Sequence, residues 1–300
     1  MIFLIDGPEK AGKTTLIGEL ASNNSSIKVR HWGPVDPDDR VYLELLKHDA
    51  LSPNIFVWDR AWPSEHVYAK LLNRNRRLKS DPWLGEWLYG RAVMASGGVR
   101  IMVLRSPELL RKYRTPDDLD VDVAEEHRSY WEYATKFRYI IFNNDDNPST
   151  IREFGATLSA WMREWQARFV ESPLKLPSYA GTLTPSIIIV GESLSSGRGI
   201  PGSWLPFTSP ATIKFARMFG DRAITNMGWT NINGIPKSML GTKALIACGQ
   251  KAGQWISDNG ANVALHLPHP AHWFRYNNEA TRRMFEEWES LRFAVEEYDK

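Results

Sequence analysis

A glycine-rich segment near the amino terminus has the residue types and the spacing that bind a phosphate group. Residues 7–14 read Gly-Pro-Glu-Lys-Ala-Gly-Lys-Thr and match the pattern G-x-x-x-x-G-K-[ST] in full. In this pattern the glycines let the backbone wrap a phosphate, with successive N–H groups pointing inward. Lys13 is expected to reach the β- and γ-phosphates of ATP, and the Thr14 hydroxyl is expected to bind Mg²⁺. The predicted ATP site comprises Gly7, Pro8, Glu9, Lys10, Ala11, Gly12, Lys13, Thr14 and Thr15.

The elements on either side of this segment fit the same interpretation. Residues 2–5 are all apolar and are followed by Asp6 and Gly7, a pattern typical of a buried parallel strand. Helical spacing begins at Thr14, so the positive end of a helix dipole is expected to face the phosphate. Strands then alternate with helices, which predicts an α/β fold with the parallel sheet of a P-loop NTPase and helices on both faces. Further strands are predicted at 28–32, 54–58, 99–104 and 138–142, and helices at 64–72 and 151–169.

Three features of the first half of the chain resemble the thymidylate kinase and deoxynucleoside kinase family. They are the segment 5–15 (IDGPEKAGKTT), the segment 57–60 (VWDR) with Ser64 and Tyr68 after it, and the basic run 111–114 (RKYR). In that family an Asp-Arg pair at a strand end faces the phosphate acceptor, a Ser and a Tyr lie on the next helix, and an arginine-rich lid covers the site. The resemblance implies a kinase that uses ATP and Mg²⁺.

Phosphoryl transfer leaves little covalent chemistry to the side chains, so their expected roles are positioning and charge neutralisation. Asp59 is expected to orient an acceptor hydroxyl or a metal-bound water, and Arg60 to bind an acceptor phosphate bidentately. Arg111 and Arg114 are expected to close over the γ-phosphate and stabilise the transition state. A structural ion pair at a strand end and solvated helix charges are the alternative interpretations. His31 is placed either for a contact to the acceptor base or in a structural turn.

The composition changes in the second half of the chain. Segment 171–185 (ESPLKLPSYAGTLTP) carries three prolines and little periodicity, which is typical of a linker. Strand and helix patterns then restart, with strands predicted at 186–190, 244–247 and 263–267 and helices at 210–219, 250–258 and 278–297. The predicted organisation is a kinase-like domain at 1–170, a linker at 171–185 and a smaller α/β domain at 186–300.

The order of short motifs in the second domain resembles the uracil-DNA glycosylase superfamily. A strand ends in a Gly-Glu turn at Glu192, and an aromatic residue, an asparagine and a late His-Pro loop follow at Phe207, Asn226 and His269. The resemblance implies a water-activating acid, a ring that stacks on a flipped base, a side chain that reads the base edge, and a histidine that approaches the base. The proline usual just after the acid is absent, and the late loop is LPHPAHWFR. Glycosylase activity and a retained base-binding role therefore both stay open.

Composition and net charge limit the binding partners and the cellular compartment that we expect. The formal net charge is +2, so bulk electrostatics do not indicate a nucleic-acid-binding protein, and a DNA contact would depend on local clusters. Cys248 is the only cysteine, which excludes an internal disulfide and fits a reducing compartment. No apolar run approaches membrane-spanning length. We therefore expect no membrane partner and a cytoplasmic location, which is the host cytoplasm if the chain is phage-encoded.

Four functions follow as hypotheses, the last of which is a non-catalytic ATP switch protein. The favoured one is an ATP-dependent phosphotransferase whose acceptor is the hydroxymethyl group of 5-hydroxymethyluracil in DNA, because a base-flipping type of domain would then have a purpose. Kinases resembling thymidylate kinase act in this way in bacteriophage pathways that hypermodify thymine. The other two are a free deoxynucleoside monophosphate kinase with an accessory base-binding domain, and a glycosylase-like protein with an ATP-sensing domain. The expected partner is a nucleotide or DNA containing a modified pyrimidine, and the oligomeric state is open.

Overall fold

The apolar runs of the first half form one parallel sheet, as the sequence predicts. The computed structural model describes residues 1–32, 39–75, 81–171, 179–181, 185–192, 207, 209–232, 240, 243–267 and 269–270. The central strand is buried at every residue. The first sheet has the order β2-β3-β1-β4-β5 with all pairs parallel, so every strand ends at the same edge. Its strands are β1 (Ile2–Asp6), β2 (Ile27–His31), β3 (Ile55–Asp59), β4 (Val99–Leu104) and β5 (Ile140–Asn143).

Helices flank this sheet and supply the other half of its core. The first and last of them pack on each other and bury Leu16, Leu20, Leu158 and Met162 against the strands. Side-chain caps at Ser106 and elsewhere fix several helix starts. The helices are α1 (Lys13–Asn23), α2 (Asp39–Ala50), α3 (Trp62–Leu71), α4 (Pro82–Gly85), α5 (Arg91–Ala95), α6 (Pro107–Tyr113), α7 (Val123–Lys136) and α8 (Pro148–Glu171), with a π-helical turn (Glu86–Gly90) between α4 and α5.

A buried carboxylate ties this helical layer together. Glu86 lies in the π-helical turn, has no exposed surface, and forms an ion pair with Arg100 of β4. It also accepts hydrogen bonds from Trp62 Nε1 at 2.7 Å, Tyr133 Oη at 2.9 Å and Tyr139 Oη at 2.7 Å. Because a buried charge is tolerated only when it is paired and hydrogen-bonded, this network fixes the relative positions of the elements that it joins.

The second half of the chain forms its own sheet. Contacts divide the chain into two units, Met1–Lys175 and Leu176–Lys300. The second sheet has the order β10-β9-β7-β8-β6, with all pairs parallel except the antiparallel pair of β6 and β8. Its strands are β6 (Tyr179–Gly181), β7 (Ile187–Gly191), β8 (Met227–Asn231), β9 (Ala244–Cys248) and β10 (Leu265–Leu267). Its helices are α9 (Pro210–Arg217), α10 (Arg222–Thr225) and α11 (Gln250–Asp258).

The structure differs from the sequence predictions at several places. Strand β6 lies inside the segment predicted as a linker, because a three-residue antiparallel edge strand has too little periodicity to be recognised among prolines. The sequence patterns do not predict helices α2, α4, α5, α6, α7 and α10, the π-helical turn or strand β8. The helix predicted at 278–297 lies outside the described residues. Among the residues that the structure describes, no helix has the length and apolarity needed to cross a membrane.

Candidate functional site

The loop between β1 and α1 has the backbone geometry of a phosphate cradle. Gly7, Lys10 and Gly12 have positive φ angles of 145°, 59° and 98°. Gly12 is the residue before the helix, and Leu16 N donates to its carbonyl at 3.1 Å. Only glycine adopts these conformations without strain at positions 7 and 12, which is why the motif specifies glycine there. The loop therefore places the amino end of α1, with its unpaired N–H groups, at the carboxyl edge of the sheet.

Lys13 is held inside this loop by the loop itself. Its Nζ donates to Gly7 O at 2.8 Å and to Pro8 O at 2.5 Å, and its side chain is buried. The pKa of Lys13 is lowered to about 8, mainly by burial and then by the charge of nearby Arg60, whereas the Asp6 and Asp59 carboxylates oppose this shift. An anionic ligand would stabilise the charged form of this buried ammonium.

Asp6 links the phosphate loop to the next helix. It has no exposed surface, and its carboxylate accepts from Gly7 N at 2.7 Å, Ala61 N at 3.0 Å, Ser64 N at 3.2 Å and Ser64 Oγ at 2.5 Å. Burial raises the pKa of Asp6, and the hydrogen bond from Ser64 and the charge of Lys13 oppose this shift. Asp6 therefore satisfies the first N–H groups of α3 and fixes the loop and this helix relative to each other.

An open cavity of about 720 Å³ lies over the phosphate loop. It is bounded by the loop, by the ends of β3 and β4, and by two connections on the same edge of the sheet. The residues that line it are Glu9, Lys10, Gly12, Lys13, Thr14, Thr15, Asp59, Arg60, Arg105, Tyr113, Asp118 and Asp146. The position agrees with the rule that ligands of open parallel sheets bind outside the carboxyl ends of the strands.

The predicted Asp-Arg pair lies in this cavity, but its two members have different partners. Asp59 Oδ2 is 2.8 Å from His31 Nδ1, and Arg60 forms an ion pair with Glu9 of the phosphate loop at 3.2 Å. Arg60 also has a positive φ of 63°, and its guanidinium lies 5.9 Å from the ring centre of Tyr68. The two side chains therefore do not pair with each other, which removes the interpretation of Asp59 and Arg60 as a mutual ion pair.

Arg105 is a cavity residue that the sequence reasoning missed. It directly follows β4, donates to Lys10 O at 2.9 Å and to Asp146 Oδ1 at 3.0 Å, and lies 4.7 Å from the centre of the Tyr113 ring. Asn144, which follows β5, donates to Ala11 O at 2.8 Å and so supports the loop from below. Each of these two residues directly follows a strand, at the carboxyl edge of the sheet where the phosphate loop also lies. That position is the sequence signal that could have identified them.

The predicted lid arginines are not brought into the cavity. Arg111 is exposed on α6 and does not line the cavity. Arg114 donates to Leu119 O at 3.1 Å and Val121 O at 2.8 Å, and it forms an ion pair with the fully buried Glu126 of α7. Neither arginine therefore lines the cavity in this structure, and their closure over the γ-phosphate stays a prediction. Arg114 instead anchors the connection between α6 and α7.

The charges that line the cavity balance. Four cations line it, and four carboxylates do so as well. Lys10 pairs with Asp118 at 3.2 Å, and the pairs of Arg60 and Arg105 are those given above. Thr14 lies exposed at the amino end of α1 in the same wall, and Mg²⁺ prefers a few oxygen ligands from protein together with phosphates and waters. The donor set thus fits Mg²⁺ held by the Thr14 hydroxyl. Among the described residues, no group of three or more His, Cys, Asp or Glu side chains forms a metal site of its own.

In the second unit, three of the predicted residues lie after parallel strands or near their ends. Glu192 follows β7, and its Oε1 accepts from Lys251 N at 3.4 Å, at the start of α11. Phe207 is buried, has a positive φ of 59°, and packs edge-on against Trp229 with ring centres 5.1 Å apart. His269 is half-buried and follows β10 by two residues.

Asn226 is not part of this arrangement. It precedes β8, whereas Asn231 ends β8 and pairs in register with Gly191, the last residue of β7. A Cβ atom on Gly191 would lie 2.9 Å from Asn231 Oδ1 and 2.9 Å from Phe207 Cζ. The asparagine that lies beside Phe207 is therefore Asn231, at the opposite end of the strand from the predicted one.

Comparison with known proteins finds no matching family model and no matching curated protein. Among solved structures, the YorR protein from Bacillus subtilis, in complex with phosphorylated GDP, is similar with 15% identity and a TM-score of 0.42, over 56% of this chain and 98% of its own. A protein from Pseudomonas aeruginosa PA01, described as a candidate polyphosphate kinase 2, is similar with 14% identity and a TM-score of 0.39, over 98% of this chain and 81% of its own. At these values the similarity says nothing about activity.

Proposed function

We propose that the first unit transfers the γ-phosphoryl group of ATP to a pyrimidine deoxynucleotide. The observation that carries this proposal is the cavity that presents the loop lysine and threonine on one wall, and Asp59 and Arg60 at the end of β3. A site that only senses a nucleotide needs the loop lysine and threonine alone. Phosphoryl transfer also needs groups that face an acceptor, as Asp59 and Arg60 would.

The donor half of the site follows from the loop. Lys13, the amino end of α1 and the loop amides would bind the β- and γ-phosphates, and the Thr14 hydroxyl would hold Mg²⁺. When bound, Mg²⁺ supplies charge neutralisation of the phosphates. Arg105 replaces the predicted lid arginines as the cation beside the donor, because its side chain lies in the cavity wall.

We favour the hydroxymethyl group of 5-hydroxymethyluracil in DNA as the acceptor. The second unit supports this choice through its strand-end arrangement of Glu192, Phe207 and Asn231, which combines a carboxylate, a ring and an amide of the kind that a flipped base requires. In this proposal the second unit binds the base, and Asn231 takes the edge-reading role predicted for Asn226.

The proposal is tested by offering γ-labelled ATP to three acceptors in parallel: thymidylate, 5-hydroxymethyl-dUMP, and DNA containing 5-hydroxymethyluracil. We expect label on the DNA. Label on the monomers alone would select a free nucleotide kinase, and release of free base without ATP would select a glycosylase-like function.

Two variant pairs locate the activity. Lys13→Ala is expected to abolish transfer, whereas Lys28→Ala, which changes an exposed lysine on β2 outside the cavity, is expected to leave it intact. Asn231→Ala is expected to weaken the affinity for the modified DNA, and Asn226→Ala serves as the matched control at the other end of β8. Full transfer by Lys13→Ala would refute the assigned site.

A further inference from the structure

We infer that Asp59 accepts the proton of an acceptor hydroxyl, and that His31 is the residue that positions the Asp59 carboxylate for this step. The inference rests on the proposed phosphotransferase function and specifies its acceptor chemistry. Neither His31 as a positioning residue nor the class of acceptor group follows from the phosphate loop.

The backbone places the two residues side by side. His31 ends β2 and Asp59 ends β3, and they are register partners in the parallel pair. Trp32 N donates to Asp59 O at 3.1 Å, which extends the pairing one residue beyond the strand. The contact between His31 Nδ1 and Asp59 Oδ2 at 2.8 Å is therefore built on the sheet and not on a mobile loop. A neutral imidazole that bonds a carboxylate through Nδ1 carries its proton on that nitrogen, so His31 donates.

This hydrogen bond occupies only one oxygen of Asp59. The other, Oδ1, is buried and has no hydrogen-bond partner within the part of the chain that the structure describes. A buried carboxylate oxygen without a hydrogen-bond partner destabilises the folded protein, and such an atom usually binds a ligand, a water or an ion. Asp59 lines the cavity, and we assign the partner that this oxygen lacks to a ligand bound there, which reaches Oδ1 once the side chain turns toward it.

The charge around the cavity favours a neutral acceptor group. The carboxylates of Glu9, Asp59, Asp118 and Asp146 all line it, and each of three cavity cations is already paired with one of them. A triphosphate donor takes up the positive charge of Lys13 and the loop. An acceptor phosphate beside the same carboxylates would meet like charge, whereas an alcohol would donate its O–H to Asp59 Oδ1.

The step balances with these groups alone. The acceptor oxygen forms a bond to the γ-phosphorus, and the bond from that phosphorus to the bridging oxygen of ADP breaks. The hydroxyl proton passes to Asp59 Oδ1 and is then released to solvent. His31 keeps its proton on Nδ1 throughout and holds the carboxylate in position.

The experiment compares three variants on a hydroxyl acceptor, DNA containing 5-hydroxymethyluracil, at saturating ATP and Mg²⁺. Asp59→Asn is expected to lower kcat by about 10²- to 10⁴-fold, the range of general-base catalysis. His31→Ala is expected to lower kcat by about tenfold to a hundredfold through loss of positioning, with the affinity for ATP and the thermal midpoint unchanged. His31→Asn is expected to recover most of this loss, because its amide N–H can donate to the same oxygen.

His48 supplies a matched control. It is a similarly exposed histidine on α2, its Nδ1 also contacts an aspartate, Asp49, at 3.0 Å, and it does not line the cavity. His48→Ala should leave kcat unchanged. Nitrogen NMR of His31 supplies a readout without turnover, since the proton is expected on Nδ1 in the wild type and its signal should shift in Asp59→Asn.

Several outcomes would overturn the inference while the kinase proposal stands. Unchanged kcat in His31→Ala would do so, as would an Asp59→Asn defect that excess Mg²⁺ fully restores, because Asp59 would then act on the metal. Transfer to the phosphate of thymidylate in preference to any hydroxyl would also overturn it. Absence of transfer from ATP to every acceptor by the wild-type protein would overturn both proposals.

Discussion

The protonation state of the buried Lys13 should control the affinity of the protein for ATP. Lys13 has a pKa of about 8 in the free protein because it is buried and lies near Arg60. Its ordinary pKa is near 10.4, so the folded site holds this ammonium less firmly than water does. The charged form is present below pH 8 and is lost as the pH rises through this value. A bound triphosphate restores the charge, so binding above pH 8 must take up a proton.

The magnitude follows from the position of this pKa. If the uncharged lysine does not bind MgATP, the apparent affinity at pH 9 is about tenfold weaker than at pH 7, and binding at pH 8 takes up about half a proton. Calorimetry at each pH, in two buffers with different enthalpies of ionisation, measures both quantities. A phosphate whose last pKa is near 6 is largely ionised across this range, so the phosphates of ATP contribute little to the pH dependence.

Lys13→Arg provides the control, since a guanidinium stays charged at all these pH values. Its affinity, whatever its absolute value, should vary little between pH 7 and pH 9. A wild-type affinity that stays constant from pH 7 to pH 9, without proton uptake, would refute the reasoning, because it would mean that Lys13 remains fully charged in the free site.

Three further predictions concern the supporting structure. Glu86→Gln should lower the free energy of unfolding by about 3–5 kcal/mol in urea denaturation, because Arg100 then keeps a buried charge without its carboxylate; a change below 1 kcal/mol would contradict this. Gly12→Ala should weaken MgATP binding by about tenfold or more in titration calorimetry, because φ is 98° there and the new Cβ would overlap Asn144 Nδ2; wild-type affinity would show that the loop geometry is not required. Cys248 is fully buried and burial raises its pKa, so a thiol reagent should label it only when the second unit opens, and labelling at the rate of a free thiol in the native state would be inconsistent with the structure.

The fold of the first unit was predictable because its signals are local. The apolar runs that form β1 and β4 are fully buried, and each ends where the chain turns polar, so the sequence shows both their type and their end. The predicted α/β fold is confirmed. Helices α2 and α7 were missed because their polar faces are broad, and an apolar stripe of a few residues is easily overlooked in a strongly charged segment.

The site was predictable only where its residues belong to one motif or stand directly at a predicted strand end. Asp59 was identified because it ends β3, but its partner His31 lies 28 residues earlier along the chain. Register, which pairs them, follows from the folded sheet and not from spacing. The sequence points to Asn226 and not to Asn231 for a related reason. Because β8 itself was not predicted, nothing in the sequence distinguished the two ends of the strand.

The ion pairs of the first unit fall into two kinds, and this difference bears on how the cavity accepts a charged ligand. The pairs of Lys10 with Asp118 and of Arg60 with Glu9 involve partly exposed side chains, with 39% and 29% of the cation side chains accessible. Such pairs contribute about 0–1 kcal/mol, so an incoming triphosphate can take the cations from their carboxylates at little cost. The buried pair of Arg100 cannot be exchanged in this way, because neither charge can be left alone. The partly exposed pairs thus balance the charge of the cavity lining without blocking a ligand, and the carboxylates that a triphosphate releases would raise the negative potential at the acceptor side. Because this added negative potential repels anions, a neutral hydroxyl is a more favourable acceptor than a phosphate.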